Sequence, residues 1–599
     1  MTTVYQPPVQ DIRFVLDLLG AQNQLQQLPA FTDIDDDLID QIISEAGRFA
    51  QNILFPLNAI GDRQGAKFDN GEVKTPEGFA SAYRQFQEAG WPSLSFDPAY
   101  GGQGLPQALN IIVFELLGAA NHAWTMYPAL LSGAYLCLHQ FASEDIKKTW
   151  LPKLVSGESL PTMCLTEAHA GSDLGLLRTR AVPSDDGSYQ ITGNKIFISG
   201  GEQDLTENII HLVLARLPDA PEGSRGISLF LVPKYLPNED GKAIKNQVIC
   251  TGIEEKMGIN GSATCSLSFE DAKGWLIGEP NRGLAAMFVM MNSARLLVGV
   301  QGIGTAETAW QSSLAYAQER LQMRAPVRPP KHNNEAADPI IYHPAMQRLL
   351  MNQKASLEGM RMLTYWAALH LDRQKDDPNP QHQKESEQFL ALLTPVIKTL
   401  STEQSFLGAS DALQIYGGHG FITETGIDQY MRDSRIALIY EGTNEIQAID
   451  LLLRKVLPDQ GEVLRQFIDT VRQTCTACPD IYHRYAQLLM ALCDSLISLV
   501  ENINKQAVHD VQLPYRIASE FLRLVGHMAL AWLWLKAAIF SSEKHKENPS
   551  FYQGKIDTAA YYFSFLFPQT LQAQEIIKNT IEASETSESS TLLAHNINF

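Results

Sequence analysis

The residues best placed to do chemistry stand in Ile439-Tyr-Glu-Gly-Thr-Asn-Glu-Ile-Gln447. Glu441 comes directly before a glycine and a Thr/Asn helix start, and Gln447 follows Asn444 by three in a capping-box arrangement. A carboxylate on such a hinge would project into a cleft while nearby backbone N–H groups point at a developing oxyanion. The same glutamate would equally complement the helix dipole. In Met163-Cys-Leu-Thr-Glu-Ala-His-Ala-Gly-Ser-Asp173 the small residues at 168 and 170–172 admit a ligand close to the backbone, and the Thr166 and Ser172 hydroxyls can donate to its oxygens. Taken alone it is also a strand followed by a Gly-Ser turn. Asn194-Lys-Ile-Phe-Ile-Ser-Gly-Gly201 offers Phe197 to a planar ring and Ser199 to its edge, or is simply an apolar strand ending in glycines. Ala412-Leu-Gln-Ile-Tyr-Gly-Gly-His-Gly-Phe421 ends a helix in glycines 417, 418 and 420, a stop signal that would also seat a phosphate or adenosine. His419 within it is the alternative acid or base.

The elements that must position these segments follow from periodicity. Residues 1–160 read as a helical domain, with helical spacing of apolar residues in Asp37–Ala46 and Leu109–Gly118 and loop chemistry at Gly101–Pro106. Residues 161–282 read as a β domain built on the runs Tyr189–Ser199, Ile209–Arg216 and Gly226–Pro233. Residues 283–457 return to long helices, with Arg324–Pro339 and Arg373–Glu387 as polar loops, and form a helical bundle. A further helical domain, 462–599, ends in a Ser/Thr/Glu-rich tail at Glu582–Ser590 expected to be frayed. Clefts between such domains are the usual places for cofactors.

Composition narrows the function further. The chain has 599 residues, 47 Lys+Arg against 67 Asp+Glu and a net charge of −20, which repels phosphate backbones and argues against nucleic acid. The start, polar and with Asp11 ahead of Arg13, lacks the form of a secretory peptide. The apolar stretch Leu522–Phe540 carries Arg523, His527 and Lys536 and reads as a buried helix rather than a membrane span. Seven scattered cysteines predict no disulfide framework and a reducing, cytoplasmic compartment. Cys475-Thr-Ala-Cys478 has no second pair, and no metal-ligand spacing occurs elsewhere.

Together the segments resemble the acyl-CoA dehydrogenase family. CLTEAHAGSD, KIFIS, YAQER at 316–320, LQIYGGHGF, MRDSRI and IYEGTNEIQ follow that family's order and spacing over residues 35–455. The N-terminal Tyr5–Phe14 segment and the extra C-terminal domain resemble the long branch that includes 3-methylmercaptopropionyl-CoA dehydrogenases. The resemblance implies an α+β multidomain fold: a helical domain, a middle β barrel, a four-helix bundle and the extra helical domain. It also implies FAD, held by Cys164, Leu165, Thr166, Ser172, Phe197, Ile198, Ser199, Thr443 and Glu445, and in a neighbouring subunit by Arg320, Gln414, Gly417 and Gly418. Ser172, Arg295 and Gly442 would meet the acyl-CoA. Phe197 stands where Trp is usual, Pro344 follows His343 where Gln is usual, and Glu445 replaces a common Gln.

The implied reaction is α,β-dehydrogenation of an acyl-CoA thioester to the trans-2-enoyl-CoA. Glu441 takes the α proton, hydride passes from the β carbon to flavin N5, and electrons go on to an electron-transfer flavoprotein. The resemblance further implies a homo-oligomer, with a dimer favoured because the extra domain would cover the tetramer face. An acyl-CoA oxidase would share the residues and admit oxygen. A DNA-associated flavoprotein would need a basic surface that the net charge of −20 opposes. A non-catalytic scaffold is disfavoured by the retained Glu441.

Overall fold

The computed structural model describes residues 3–236, 244–332 and 334–585. The chain divides into two compact units, one of Gln41–Leu297 and one that joins the residues up to Asp40 with those from Val298 onward. The division falls inside two helices, Asp36–Phe49 and Gly283–Glu319.

The first unit opens with helices, of which Gln107–Ala120 is buried from Ala108 to Ala120. A small hairpin, β1 (Lys67–Asp69) and β2 (Glu72–Lys74), lies between helices. The strands that matter are β3 (Ser159–Cys164), β4 (Arg180–Pro183), β5 (Tyr189–Ser199), β6 (Asn208–Arg216) and β7 (Ile227–Pro233). They are followed by the two-residue pair β8 (Tyr235–Leu236) and β9 (Ile244–Lys245), then β10 (Val248–Ile253) and β11 (Thr264–Ile277). β11 pairs with β5, β5 with β4, β4 with β6, β6 with β7, and β7 returns to β11, so five strands close a ring. β3 runs parallel to β6 and β10 antiparallel to β11, outside that circuit. Closure leaves the inward side chains Ala181, Ile191, Ile198, Val213, Phe230 and Cys265 in one apolar core. β6 and β7 are buried on both faces, which is why they read as continuous apolar runs rather than alternating ones.

The second unit is helical. Helices Gly283–Glu319, Pro344–Asp376 and Pro380–Tyr416 form its bundle, completed by Ile427–Arg435 and the shorter Asn444–Ile449. Gly299 and Gly302 bring the first and third together: a Cβ on Gly302 would sit 2.8 Å from the Ser401 carbonyl oxygen, and one on Gly299 2.8 Å from the Ile397 side chain. The extra C-terminal helices surround Leu513–Lys544, whose Trp534 indole donates to the Ala355 carbonyl at 3.1 Å and whose Trp532 donates to Thr474 Oγ1 at 2.8 Å. Trp532, Trp366 and Phe467 meet edge to face or tilted, with centroids 5.5–5.7 Å apart.

The N-terminal segment belongs to this second unit. Val4 N–H donates to Ser312 Oγ (3.0 Å), and the Gln6 backbone exchanges two bonds with the Gln311 amide (2.7 and 2.8 Å). In helix Val9–Leu19, Phe14 packs edge-on to Phe540 and Phe551. Beside it, Asp11, Glu307 and Glu358 face Lys354, Arg361 and Lys555, six buried or half-buried charges that sum to zero. The Lys555 ammonium donates to both Asp11 and Glu358, the latter at 2.8 Å, and also lies over the Phe14 ring.

Three features differ from the sequence reading. The first 40 residues do not form one body with the helices after them, because their partners Phe540, Phe551 and Lys555 come from the far end of the chain. The loop expected over Arg373–Glu387 shrinks to 377–379, where Asn379 caps the next helix through the Gln381 N–H and Pro380 takes its first turn. Helix Gln569–Glu585 continues through the start of the expected tail, and 586–590 lie outside the described residues.

Among the described residues, three helices are long and apolar enough to cross a membrane: Gly283–Glu319, Asp480–Ala507 and Leu513–Lys544. Their most apolar windows are 61%, 44% and 83% buried within the protein. The stretch read as a buried helix lies in the last of these.

Replacing Lys555 by Met leaves two carboxylates without their shared cation. We expect a loss of about 3–5 kcal/mol in urea unfolding at neutral pH. Although burial opposes the charge on Asp11, Lys555, Lys354 and Arg361 outweigh it and depress the carboxyl from 3.8 to about 2. The contribution of Asp11 is therefore full above pH 3.8 and lost as pH falls through about 2, so the difference between wild type and Lys555→Met narrows in that window.

Candidate active site

Two groups of candidate residues, one in each unit, take their geometry from buried polar braces. In the first unit, β3 ends at Cys164 and the chain enters the loop that carries Leu165, Thr166 and Ser172. Lys195 on β5 is fully buried, and its ammonium donates to the Leu165 carbonyl (3.0 Å) and to Glu167 Oε1 (2.9 Å). Glu167 also accepts from Arg178 N–H (2.7 Å), Thr179 N–H (3.0 Å) and Thr179 Oγ1 (2.6 Å). Burial alone would raise the Glu167 carboxyl, but Lys195 and these donors outweigh it and hold it at about 2, so it is a fixed anion under the loop. The Thr166 carbonyl is tied to the Ile196 N–H at 3.0 Å. Leu165 and Thr166 are half-buried, while Ser172 is exposed.

Phe197 owes its position to a β-bulge. Leu267 pairs with Lys195 and Cys265 with Ile198, so three steps on β5 oppose two on β11. The extra residue puts Phe197 at φ +59° and leaves its ring 58% exposed. Left-handed backbone at a bulky residue costs about 1–3 kcal/mol and persists where the surroundings impose it. Beyond the bulge the alternation reverses: Ile198 turns into the barrel core at 2% exposure, and Ser199 is half-buried. The side chains of Cys164 and Ile198, expected among ligand contacts, are therefore core residues and can offer a ligand only their backbone. Arg295, expected beside the substrate, is buried at 7% exposure and donates to Asn292 Oδ1 at 3.4 Å.

In the second unit, Glu441 at φ +55° and Gly442 at φ +85° form two successive left-handed residues. The Glu441 carbonyl accepts from the Gln447 side chain (3.0 Å), and the Gly442 carbonyl from the Lys398 ammonium (2.9 Å). Lys398 is fully buried in helix Pro380–Tyr416 and donates also to Asn444 Oδ1 at 2.8 Å. Asn444 in turn donates to Thr402 Oγ1 at 3.1 Å. The helix start differs from the expected capping box: Thr443 is the N-cap, its Oγ1 accepting from Ile446 N–H at 3.3 Å. Gln447 reaches back to the hinge carbonyls instead, because the left-handed pair turns them toward it. Glu441, Gly442 and Thr443 are half-buried and Glu445 is exposed. Lys195, Glu167 and Lys398 were given no role from the sequence, and Gln447 was read there only as a capping-box residue.

Helix Pro380–Tyr416 stops at Gly417, which has φ +59° and ψ −139°. A Cβ on Gly417 or Gly418 would meet nothing of this chain within 4 Å. Backbone conformation explains the first glycine, whereas nothing in the chain's own packing demands the second; a ligand or a second copy approaching closely would. Gln414 and Arg320 are exposed. The Tyr316 ring stacks on Tyr416 with centroids 4.1 Å apart, and its hydroxyl lies 2.9 Å from His419 Nδ1, so the imidazole is fastened to the bundle.

The CxxC pair sits at a helix C-terminal end rather than at an activating N-terminus. Burial pushes the Cys475 thiol up to about 11 and raises Cys478 as well, the opposite of what a thiolate nucleophile needs. Among the described residues no three His, Cys, Asp or Glu side chains gather as a metal site.

Phe197→Gly removes the left-handed strain and gives up little buried surface. It should stabilise the cofactor-free protein by up to about 1 kcal/mol in denaturant unfolding. A loss of stability would mean that the exposed ring serves packing.

Comparison with known proteins covers nearly the whole chain. Family models match in order: acyl-CoA dehydrogenase N-terminal domain at 39–158, middle domain at 162–272 and C-terminal domain at 281–456, then an acetyl-CoA dehydrogenase C-terminal-like domain at 467–584. The chain is 41% identical over 561 residues to the 3-methylmercaptopropionyl-CoA dehydrogenase of Ruegeria pomeroyi, covering 93% of this chain and 95% of that one. It is 33% identical over 600 residues to a broad-specificity linear acyl-CoA dehydrogenase of Mycobacterium tuberculosis, covering 96% and 97%. The fold matches the crystal structure of an acyl-CoA dehydrogenase complexed with FAD from Bacillus anthracis, with a TM-score of 0.73 and 22% identity over 95% of this chain and 94% of that one. With the closed barrel between helical segments and the extra C-terminal helices all accounted for, the chain belongs to the acyl-CoA dehydrogenase family.

Proposed function

We propose that this chain dehydrogenates an acyl-CoA thioester between Cα and Cβ, with Glu441 as the base that removes the α proton. The observation that carries the reading is the Glu441–Gly442 hinge, a left-handed pair whose two carbonyls are held by buried Gln447 and Lys398. Such strain at a carboxylate needs a surrounding structure built to impose it, and a proton-transfer group is what gains from fixed direction.

FAD fits the residues on the page. Phe197 presents an exposed ring, Ser172 an exposed hydroxyl, Thr166 and Ser199 half-buried ones, and Cys164, Leu165 and Ile198 their backbone. Thr443 and Glu445 stand beside the base, and Arg320, Gln414, Gly417 and Gly418 form an open exposed face suited to the FAD of a second copy. The active assembly is then at least a dimer. When bound, FAD supplies the acceptor for the β hydride and the route by which electrons reach an electron-transfer flavoprotein.

The protein's own part is positioning and proton transfer. A thioester acidifies its α C–H, so a single carboxylate held beside it suffices as base. Backbone N–H at the hinge would bind the thioester oxygen and stabilise the enolate-like transition state. Of the residues proposed to meet the acyl-CoA, Ser172 is exposed and Gly442 half-buried, each on its own unit. The 41% identical relative makes 3-methylmercaptopropionyl-CoA the first thioester to test, within a panel of graded acyl lengths.

The experiment is anaerobic single-turnover bleaching of the flavin by a good acyl-CoA. Glu441→Gln should keep fold, FAD and thioester binding but slow bleaching by about 10²- to 10⁴-fold. His419→Gln, which loses only the Tyr316 contact, should cost far less. Bleaching at the wild-type rate in Glu441→Gln would remove the base assignment.

A further inference from the structure

We infer that Lys398 is a positioning residue for the proton transfer, acting through the Gly442 peptide. The inference rests on the reading of Glu441 as the base. Lys398 lies in the middle of helix Pro380–Tyr416, fully buried, with its ammonium 2.9 Å from the Gly442 carbonyl oxygen and 2.8 Å from Asn444 Oδ1. A lysine is seldom taken wholly out of water, and stability alone gives little reason to keep one there. What this one does is fix a peptide plane.

The peptide bond is planar and trans, so a carbonyl held in one direction sends the N–H of the same peptide the opposite way. Lys398 draws the Gly442 carbonyl inward and so turns the Thr443 N–H outward. Gln447 does the same to the preceding plane, drawing in the Glu441 carbonyl and turning out the Gly442 N–H. Both planes flanking Gly442 are thereby set. Gly442, at φ +85°, is the residue with most freedom to swing between alternatives, and with it locked the direction in which Glu441 leaves the backbone follows. Asn444 couples the brace to the succeeding helix: it accepts from Lys398 and bonds to Thr402 one turn further along Lys398's own helix. Gly299 and Gly302 allow the neighbouring helix close to Ile397 and Ser401 of Lys398's own helix.

The test uses the FAD-loaded full chain and anaerobic bleaching over a range of acyl-CoA concentrations, which separates the limiting rate from half-saturation. Lys398→Met should retain FAD and half-saturation while its limiting rate falls by about 10²-fold, the cost of a small misplacement of a reacting group. Lys398→Arg, which keeps the charge and donors, should recover most of that loss. A role in folding alone would lower FAD content and melting temperature without this split. If Lys398→Met does not retain FAD, Gln447→Leu tests the companion brace and should give the same fall in limiting rate. A wild-type limiting rate in FAD-loaded Lys398→Met, or in Gln447→Leu when it is the variant measured, overturns the inference. If Glu441→Gln bleaches normally the base reading falls, and this inference falls with it. If Glu441→Gln is inert while Lys398→Met bleaches normally, only the inference falls.

Discussion

Compensation of buried charge is the constraint on which the helical unit depends. Asp11, Glu307 and Glu358 are matched by Lys354, Arg361 and Lys555, drawn from the N-terminal helix, two bundle helices and the C-terminal helices. The two bundle helices balance between themselves, and Asp11 with Lys555 forms the remaining pair: without the C-terminal helices the cluster carries one excess anion, and without the N-terminal helix one excess cation. Carrying an unmatched charge into the interior costs more than most single contacts return. The N- and C-terminal segments thus specify each other's placement on the bundle, and the apolar contacts of Phe14 with Phe540 and Phe551 fill in around that register.

Buried cations also hold two segments of unusual backbone. Lys195 under the Leu165–Glu167 loop and Lys398 under the Glu441–Gly442 hinge are both wholly buried and both bond to carbonyl oxygens of the segment they support. A long side chain with three donors can satisfy several acceptors at once from a neighbouring element. Phe197 and Glu441, the two candidate residues other than glycine with left-handed backbone, each lie within two residues in sequence of a lysine-held peptide or of the lysine itself.

Much of this was legible in the sequence and some was not. The runs Tyr189–Ser199, Asn208–Arg216 and Ile227–Pro233 are strands as their β-rich pattern indicates, and the motif around Glu441 marks a hinge because a glycine and a capping residue follow it. Strict alternation along β5 would have turned Phe197 inward with Ile191 and Lys195. The bulge reverses this, and a bulge depends on the register with β11, which one strand cannot reveal. Lys398 was hidden because its bond partner lies 44 residues away and a lysine in a helix is ordinarily solvated. Its signal was faint but present: Pro395-Val-Ile-Lys-Thr-Leu400 leaves a cation inside an otherwise apolar stretch. The placement of the first 40 residues could not be read from local pattern, since it is decided by side chains at the other end of the chain.

The bond between Lys555 and Asp11 spans 544 residues of sequence, and it has a consequence for how the protein is made. On a ribosome adding about 5–20 residues per second, the helix that carries Asp11 emerges on the order of half a minute or more before its cation exists. During that interval the barrel-containing unit, whose contacts lie within residues 41–297, can already close, whereas the helical unit cannot. An amphipathic N-terminal helix with Phe14 on its apolar face must then wait exposed, the condition under which nascent chains engage chaperones. Translation order and folding order therefore run differently here: the segment that carries Asp11 is synthesised long before the helices that bury it.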